Sequence, residues 1–356
     1  MNSSIYQAQA TRYLEDLASS VHQNMPMVRP LTASFAITTR CNSKCSYCKI
    51  WELEPYDTPL SDLKRAVDEL SDLGVYLVSL SGGEPFLHNS LPELIAHIRS
   101  RGLAVSLTTN GSLLKSGRLW PVLEAGLDAL GLSLDTIDSD TYATIRGLPL
   151  MRILEGLHCL SRARAKFPRL AVSVNCVISK ANIEQIVPLV EYCTSQDIAV
   201  GFQPLHLTYA SSHEPVSLTF DEQDLPRLHA LIEQLLNMQR RGYLINNDPS
   251  YLEGFPNFLV FRRLPEGFVC TAGFTTISID HALNVRNCWP MDPIGNLHTQ
   301  PLTKIWYSED YKNRRAMMLK LECPKCWQRC HVERSEQWLR GFFDWIAIRQ
   351  GPLCQQ

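Results

Sequence analysis

The sequence has no marked excess of either charge. Its 356 residues include 34 Lys and Arg against 36 Asp and Glu, which leaves a net charge of −2 with neutral histidines. Proteins that bind nucleic acid or anionic membrane surfaces usually carry a clear basic excess. The composition therefore predicts no nucleic-acid partner and no membrane partner.

Long apolar runs and targeting signals are absent as well. The chain has no run of about 18 apolar residues, and its start lacks the basic and apolar regions of a signal peptide. We therefore expect a cytoplasmic protein, and the 45% apolar composition suffices for a sizeable core. In that compartment, 12 cysteines indicate metal or redox chemistry rather than disulfides.

Three of these cysteines lie on one short segment. Cys41, Cys45 and Cys48 have the spacing CxxxCxxC and follow an apolar run that predicts a strand. Three thiolates can hold three irons of a [4Fe–4S] cluster, and a fourth thiolate would complete the set. The remaining iron would keep an open position, which is the property that separates catalytic from structural zinc sites.

A zinc loop and a disulfide are the alternative interpretations of this segment. Zinc sites usually use CxxC pairs or Cys/His sets that sum to four ligands, and no fourth ligand lies beside these three. A disulfide is disfavoured by the expected compartment. A second motif favours the cluster.

The second motif, Gly82-Gly83-Glu84-Pro85, ends the next apolar run. Its two glycines allow the backbone to approach a ligand closely, and the Glu84 carboxylate can accept a hydrogen bond from an amine. With both motifs in this order, the chain resembles the radical S-adenosylmethionine (SAM) superfamily.

This resemblance implies the cofactors and the reaction type. The three cysteines would hold a [4Fe–4S] cluster whose open iron chelates the methionine part of SAM, and the GGEP segment would bind the SAM amine. One electron would cleave SAM to a 5′-deoxyadenosyl radical that abstracts hydrogen from a substrate. The cofactor supplies the chemistry while the protein positions and shields it. A flavodoxin or ferredoxin-type electron donor is implied, and Tyr47 is expected to pack on the bound cofactor.

From residue 32 onwards, apolar runs alternate with helical stretches. Helices are predicted at 61–73, with Ser61 as the N-cap, and at 91–101. The pattern predicts an α/β fold with a parallel sheet and right-handed crossovers. The resemblance implies a partial (β/α)6 TIM-like barrel. The predicted strands are 33–38, 75–80, 103–108, 128–134, 170–178 and 198–205.

Polar residues lie at or near the ends of the fourth and fifth predicted strands. In the resembling family these strands contact the ribose and carboxylate of SAM, which implies such roles for Ser133, Asp135 and Asn175. Turn or cap chemistry is the alternative for each of them. Arg146 resembles a recurring arginine of the family, with an ordinary surface residue as the alternative.

A second group of cysteines lies near the C-terminus. Cys270 and Cys288 flank a predicted hairpin, and Cys323, Cys326 and Cys330 follow with the spacing CxxCxxxC. This order resembles the C-terminal extension called SPASM, or its shorter form called twitch, and implies one auxiliary [4Fe–4S] cluster. Spacing alone would favour structural zinc, with four thiolates and a CxxC pair, but the position behind a radical SAM barrel favours the cluster. Which of the last three cysteines bind, and whether Cys354 does, stays open.

Four regions follow from this organisation. They are an N-terminal helical extension (1–30), the barrel (31–210), a connecting region (211–268) and a small auxiliary-cluster domain of hairpin and helix (269–356). The connecting region is predicted to contain a helix at 220–241 and a loop at 246–267.

The expected function is a radical SAM oxidoreductase or isomerase that dehydrogenates, epimerises or similarly modifies a small molecule. The catalytic residues are not identified by the sequence. Modification of a ribosomal peptide is an alternative, although only 40 residues precede Cys41, too few for the leader-binding domain of such enzymes. An iron–sulfur electron carrier is a further alternative, but it would leave the GGEP motif without a use.

Overall fold

The computed structural model describes residues 3–206, 218–329 and 336–350. Its centre is one nine-stranded sheet with the order β6-β5-β4-β3-β2-β1-β7-β8-β9. Seven neighbouring strands, from β6 to β7, run parallel, and β8 and β9 are antiparallel. The strands are β1 (Thr32–Ala36), β2 (Leu77–Ser81), β3 (Ala104–Thr109), β4 (Ala129–Ser133), β5 (Ala171–Ile178), β6 (Ala199–Pro204), β7 (Thr276–Ile279), β8 (Asn284–Arg286) and β9 (Gly295–Asn296).

Helices connect the strands of the barrel and cover its outside. The last helix, α14, packs against the first, α1, and closes the end of the barrel where the strands begin. The helices are α1 (Ser3–Gln23), α2 (Leu60–Asp72), α3 (Leu91–Ser100), α4 (Leu119–Glu124), α5 (Ser139–Arg146), α6 (Leu150–Lys166), α7 (Ile186–Ser195), α8 (Leu225–Arg240), α9 (Pro249–Glu253), α10 (Phe255–Phe261), α11 (Ala272–Thr275), α12 (Leu302–Trp306), α13 (Glu309–Leu319) and α14 (Glu336–Gln350).

The strands alternate between a packed outer face and an open inner face. On β1, Ala33 and Phe35 are fully buried under the helices, whereas Ser34 is only partly buried and faces the interior of the barrel. This period-2 alternation is what a strand with one packed face requires. The six predicted strands and the α/β class are confirmed, with boundaries shifted by one or two residues.

The C-terminal hairpin is part of the barrel sheet. Strand β7 pairs in parallel with β1, with Ser34 opposite Ser278, so the sheet runs without a break from the barrel into the C-terminal region. The sequence predicted the hairpin but not this pairing. Its consequence is that the segments before and after β7 and β8 are held against the barrel.

Two local predictions were wrong. Helix α2 begins at Leu60 after Pro59, and Ser61 does not cap it, because the chain enters the helix one residue earlier than expected. The stretch 246–267 is not a simple loop, since it contains α9 and α10, whose aromatic side chains are buried in the core. Within the described ranges, no helix has the length and apolar character needed to cross a membrane.

Candidate active site

The segment with Cys41, Cys45 and Cys48 leaves the end of β1 and is anchored on the end of α5. The Ser43 hydroxyl donates to the Arg146 carbonyl at 2.7 Å, and the Ser46 amide donates to the neighbouring carbonyl of Ile145 at 2.9 Å. These bonds tie the loop down on both sides of Cys45, which is buried.

The three thiols lie close enough to influence one another. The pKa of Cys41 is raised to about 12, chiefly by burial and in smaller part by the charges of Cys45, Glu84 and Cys48. A bound metal removes this penalty, because ligating thiols are deprotonated and their charge is neutralised by the metal. Three sulfur donors on one loop fit a [4Fe–4S] cluster held through three of its irons.

The GGEP segment pairs directly with the backbone that leads into Cys41. The Gly83 amide donates to the Thr38 carbonyl, and the Glu84 amide donates to the Arg40 carbonyl, both at 2.8 Å. A Cβ atom at Gly83 would lie 2.1 Å from the Arg40 oxygen, so only glycine fits this approach. The two motifs found in the sequence therefore form one site.

Glu84 stabilises this site through hydrogen bonds made in the protein interior. Its fully buried carboxylate accepts hydrogen bonds from the Asn110 amide at 2.7 Å, from the Thr109 hydroxyl at 2.8 Å and from the Phe86 amide at 3.1 Å. Burial raises its pKa to about 7, despite these bonds. Glu84 thus connects the loop after β2 to the loop after β3, and its contact with the SAM amine stays a prediction.

Asp135 lies just after β4 and is fully enclosed. Its carboxylate accepts from Arg146 at 2.7 and 3.0 Å, from the Tyr47 hydroxyl at 2.7 Å and from the Val177 amide at 2.8 Å. The Arg146 guanidinium also lies over the Tyr47 ring. Arg146 is therefore not a surface residue, and the set orients the side chain that precedes Cys48.

Ser133 and Asn175 face the barrel interior as direct cross-strand neighbours on β4 and β5. Asn175 lies over Gly131, where a Cβ atom would come within 2.4 Å of its side-chain nitrogen. The structure thus brings both residues to the side of the barrel where Tyr47 lies, and their contacts with SAM stay predictions, as do those of Gly82 and Pro85.

The auxiliary cysteines converge from three segments. Cys270 precedes α11, Cys288 follows β8, and Cys323 and Cys326 follow α13. Burial raises the pKa of Cys270 to about 12, with contributions from Cys326 and Cys323, while a hydrogen bond with Cys288 lowers the pKa of Cys326. Four sulfur donors on neighbouring segments suit the four irons of a [4Fe–4S] cluster.

Cys330 and Cys354 lie outside the described residues. In the described part of the chain, all ten cysteines are free thiols, and no group of three His, Cys, Asp or Glu side chains is arranged around a single metal ion.

One cavity of about 310 Å³ separates the two cysteine groups. Tyr47 and Cys48 line it on the barrel side, and Cys288, Trp289 and Cys326 line it on the C-terminal side. A molecule in this cavity would therefore contact both groups at once. Concave sites of about this size hold small ligands.

Sequence reasoning missed Trp289. Its indole nitrogen donates to the Ser34 hydroxyl at 3.0 Å and so ties the auxiliary loop to β1. The available signal was its position directly after Cys288.

Comparisons with known proteins agree with this geometry. The family model of the radical SAM superfamily matches residues 35–193, and that of the SPASM iron–sulfur cluster-binding domain matches residues 270–331. Fe-coproporphyrin III synthase of Methanosarcina barkeri is 26% identical over 82% of this chain and 78% of its own length. GTP 3′,8-cyclase 2 of Pseudomonas aeruginosa is 30% identical over 60% of this chain and 68% of its own.

Solved structures share the fold. SuiB of Streptococcus suis bound to SAM superposes with a TM-score of 0.67 at 20% identity, covering 87% of this chain and 74% of SuiB. The peptide-bound enzyme anSMEcpe gives a TM-score of 0.61 at 16% identity over 90% of this chain and 98% of its own. This chain matches several other GTP 3′,8-cyclases over only about half of their length. For the enzyme of Lactiplantibacillus plantarum, the match covers 52% of that protein.

Fold and site define an iron–sulfur enzyme built on a partial parallel barrel. The chain belongs to the radical SAM superfamily and carries a SPASM-type iron–sulfur cluster-binding domain. A SAM-binding [4Fe–4S] cluster, SAM and auxiliary iron–sulfur binding come with this assignment.

Proposed function

We propose that this enzyme abstracts a hydrogen atom from a small molecule held in the cavity between Cys48 and Cys288. One auxiliary [4Fe–4S] cluster would assist the oxidation or the positioning of that molecule, so the product is a dehydrogenated, epimerised or similarly modified compound. The single observation that carries the proposal is that thiols of both cysteine groups line the same cavity.

The residues have distinct tasks in this proposal. Cys41, Cys45 and Cys48 hold the first cluster. The second is held by the four cysteines that converge in the structure, namely Cys270, Cys288, Cys323 and Cys326. When bound there, a cluster reduced by an external donor would supply the one electron that cleaves SAM to methionine and a 5′-deoxyadenosyl radical. Every other contribution comes from side chains and backbone.

The GGEP loop provides a close backbone surface for the amino acid part of SAM. Gly82 has a φ of 124°, which a side chain would not tolerate, and Gly83 packs against the Arg40 carbonyl. Glu84 holds this loop at a fixed distance from Thr109 and Asn110. Tyr47 is fixed by Asp135 and presents its ring to the cavity.

The cavity protects reactive species from water. Its lining includes the apolar residues Val177, Pro204, Leu205, Trp289 and Pro290. The polar residues Gln203, His206 and Gln328 line it as well. Such an enclosure limits side reactions of an intermediate. Lys and Arg do not occur among the described residues that line it, so the described part of the wall offers no Lys or Arg to a nucleoside triphosphate. GTP cyclisation is therefore not our proposal.

The test is anaerobic reconstitution followed by reduction in the presence of SAM. We expect slow formation of 5′-deoxyadenosine with SAM alone and faster formation when a protein-free extract of small metabolites is added. Stimulation only by a peptide fraction would instead favour the peptide-modifying alternative. The complete absence of 5′-deoxyadenosine in fully reconstituted protein would leave only an electron carrier.

A further inference from the structure

A belt of four serines crosses the barrel interior. Ser278, Ser34, Ser79 and Ser106 are direct neighbours in register on β7, β1, β2 and β3. All four line a second cavity of about 670 Å³ inside the barrel. Barrel interiors are ordinarily filled by layers of bulky branched side chains. The belt therefore leaves space where a packed core would be expected.

Three of the four serine hydroxyls have no hydrogen-bond partner among the described residues, namely those of Ser79, Ser106 and Ser278. Ser278 is only 1% exposed and lines the cavity, so the cavity is the space open to its hydroxyl. The hydroxyl of Ser34 accepts from Trp289. Ser79 and Ser106 are only partly buried, so their hydroxyls are accessible from the cavity and can hydrogen-bond to a polar occupant.

Aromatic side chains close one end of this chamber. Trp338, Phe342 and Trp345 of α14 line it, and the rings of Trp338 and Phe342 stack at 5.2 Å. The described lining residues include no carboxylate, and their one cation, Arg329, donates both to the side chain and to the carbonyl of Asn246. A chamber with a hydroxyl wall and a flat apolar wall suits an uncharged ring that carries several hydroxyl groups.

The chamber lies next to the proposed reaction cavity. Gln203 and Trp289 line both spaces, and the Gln203 side-chain amide also has no hydrogen-bond partner among the described residues. A molecule that extends past these two residues would have one part on the serine belt and another part beside Cys48 and Cys288.

We propose that the serine-lined chamber is a substrate subsite for an uncharged, polyhydroxylated ring. This assignment rests on the proposed function, because it names the class of small molecule whose other end would react in the cavity between the cysteine groups. The hydroxyls of the belt donate to and accept from the ring hydroxyls, and α14 covers one ring face.

The test measures binding rather than turnover. Myo-inositol, a neutral ring with a hydroxyl on every carbon, is titrated against the reconstituted full chain by ligand-observed NMR, with cyclohexanol as the size-matched probe that has one hydroxyl. We expect myo-inositol to bind about tenfold more tightly than cyclohexanol. The double variant Ser79→Ala/Ser106→Ala should lose about tenfold in myo-inositol affinity, while Ser195→Ala, on the exposed end of α7, should not change it.

Three results would overturn the proposal: no binding of myo-inositol to the unmutated protein, equal binding of cyclohexanol, or an unchanged affinity in the double variant. The first and last would mean that the belt holds only water.

Iron content and thermal unfolding establish that the double variant is folded, and Gln203→Leu serves as a second variant with the same expected loss. Formation of 5′-deoxyadenosine by the unmutated protein is recorded separately. If that fails while myo-inositol binds, the proposed function fails and the subsite stands.

Discussion

Asp135 and Arg146 form a two-point ion pair, at 2.7 and 3.0 Å, in which the two side chains are only 0% and 7% exposed. The pair joins the end of β4 to the end of α5, and the carbonyl of Arg146 in turn anchors the cysteine loop through Ser43. One buried contact thus connects the barrel to the site of the first cluster.

Removing one partner of this pair should lower the stability of the folded protein. Asp135→Ala leaves the Arg146 charge buried without its anion, so we expect the free energy of unfolding to fall by about 3–5 kcal/mol. Anaerobic urea unfolding of the reconstituted protein measures this. Glu124→Ala is the matched control, because Glu124 pairs with Lys166 at 3.8 Å on the surface, where such pairs contribute about 0–1 kcal/mol. Equal losses in the two variants would show that burial adds nothing to the pair.

Iron analysis checks the two-cluster assignment. Fully reconstituted protein should hold about eight iron and eight sulfide per chain, as expected for two four-iron clusters. Replacing Cys41, Cys45 and Cys48 together by alanine should leave about four iron, because the auxiliary thiols are on separate segments. A value near four in the unmutated protein, with zinc accounting for the rest, would exclude the auxiliary cluster.

The auxiliary ligands can be separated by single substitutions. Cys288→Ala should lose about four iron but still form 5′-deoxyadenosine from SAM, while product formation is abolished, because only the second cluster loses a ligand. Cys330→Ala should keep about eight iron if the four converging thiols form the complete set. Loss of iron in the Cys330 variant would instead make that residue a ligand. Normal product from soluble Cys288→Ala protein that lacks the second cluster would make the auxiliary site purely structural.

The close approach of the GGEP loop predicts the effect of a single methyl group. Gly83→Ala places a Cβ atom 2.1 Å from the Arg40 carbonyl oxygen, so the loop must move and SAM affinity should fall sharply. Gly341→Ala, inside α14, meets no atom within 4 Å and should stabilise the protein by up to about 1 kcal/mol through helix propensity. Equilibrium dialysis with SAM and thermal unfolding give the two readouts. Unchanged SAM affinity in Gly83→Ala protein would argue that the loop is not part of the SAM site.

Glu84→Ala tests the brace between the two loops. Loss of the carboxylate removes the hydrogen bonds from Thr109 and Asn110 and, in the proposed complex, a charge-assisted partner of the SAM amine. SAM binding should weaken by roughly 1.5–3 kcal/mol. Glu54→Ala is the control, because it removes an exposed carboxylate that follows the cysteine segment in the sequence. This variant should bind SAM normally. If both variants bind SAM as the unmutated protein does, Glu84 has no part in SAM binding.

Much of the fold could be predicted from the sequence because its signals are local. Apolar runs of strand length alternate with helical periodicity, and these patterns placed the six barrel strands within one or two residues. The CxxxCxxC and GGEP spacings are equally local, and they were sufficient to predict the family and its cofactors. Ser61 and the stretch 246–267 were misassigned, because Pro59 shifts the start of α2 and because buried aromatic side chains stabilise α9 and α10.

The sequence alone determined the parts whose chemistry depends on neighbours along the chain: the three-cysteine loop, the glycine turn and the order of the strands. Only the tertiary structure decided which distant parts meet. Trp289 and Ser34 are 255 positions apart, and β7 joins the sheet beside β1. Such contacts require closure of long loops and are set by packing of the whole barrel rather than by local preference. For the same reason, only the folded chain shows that both cysteine groups face one cavity and that four serines line the chamber beside it.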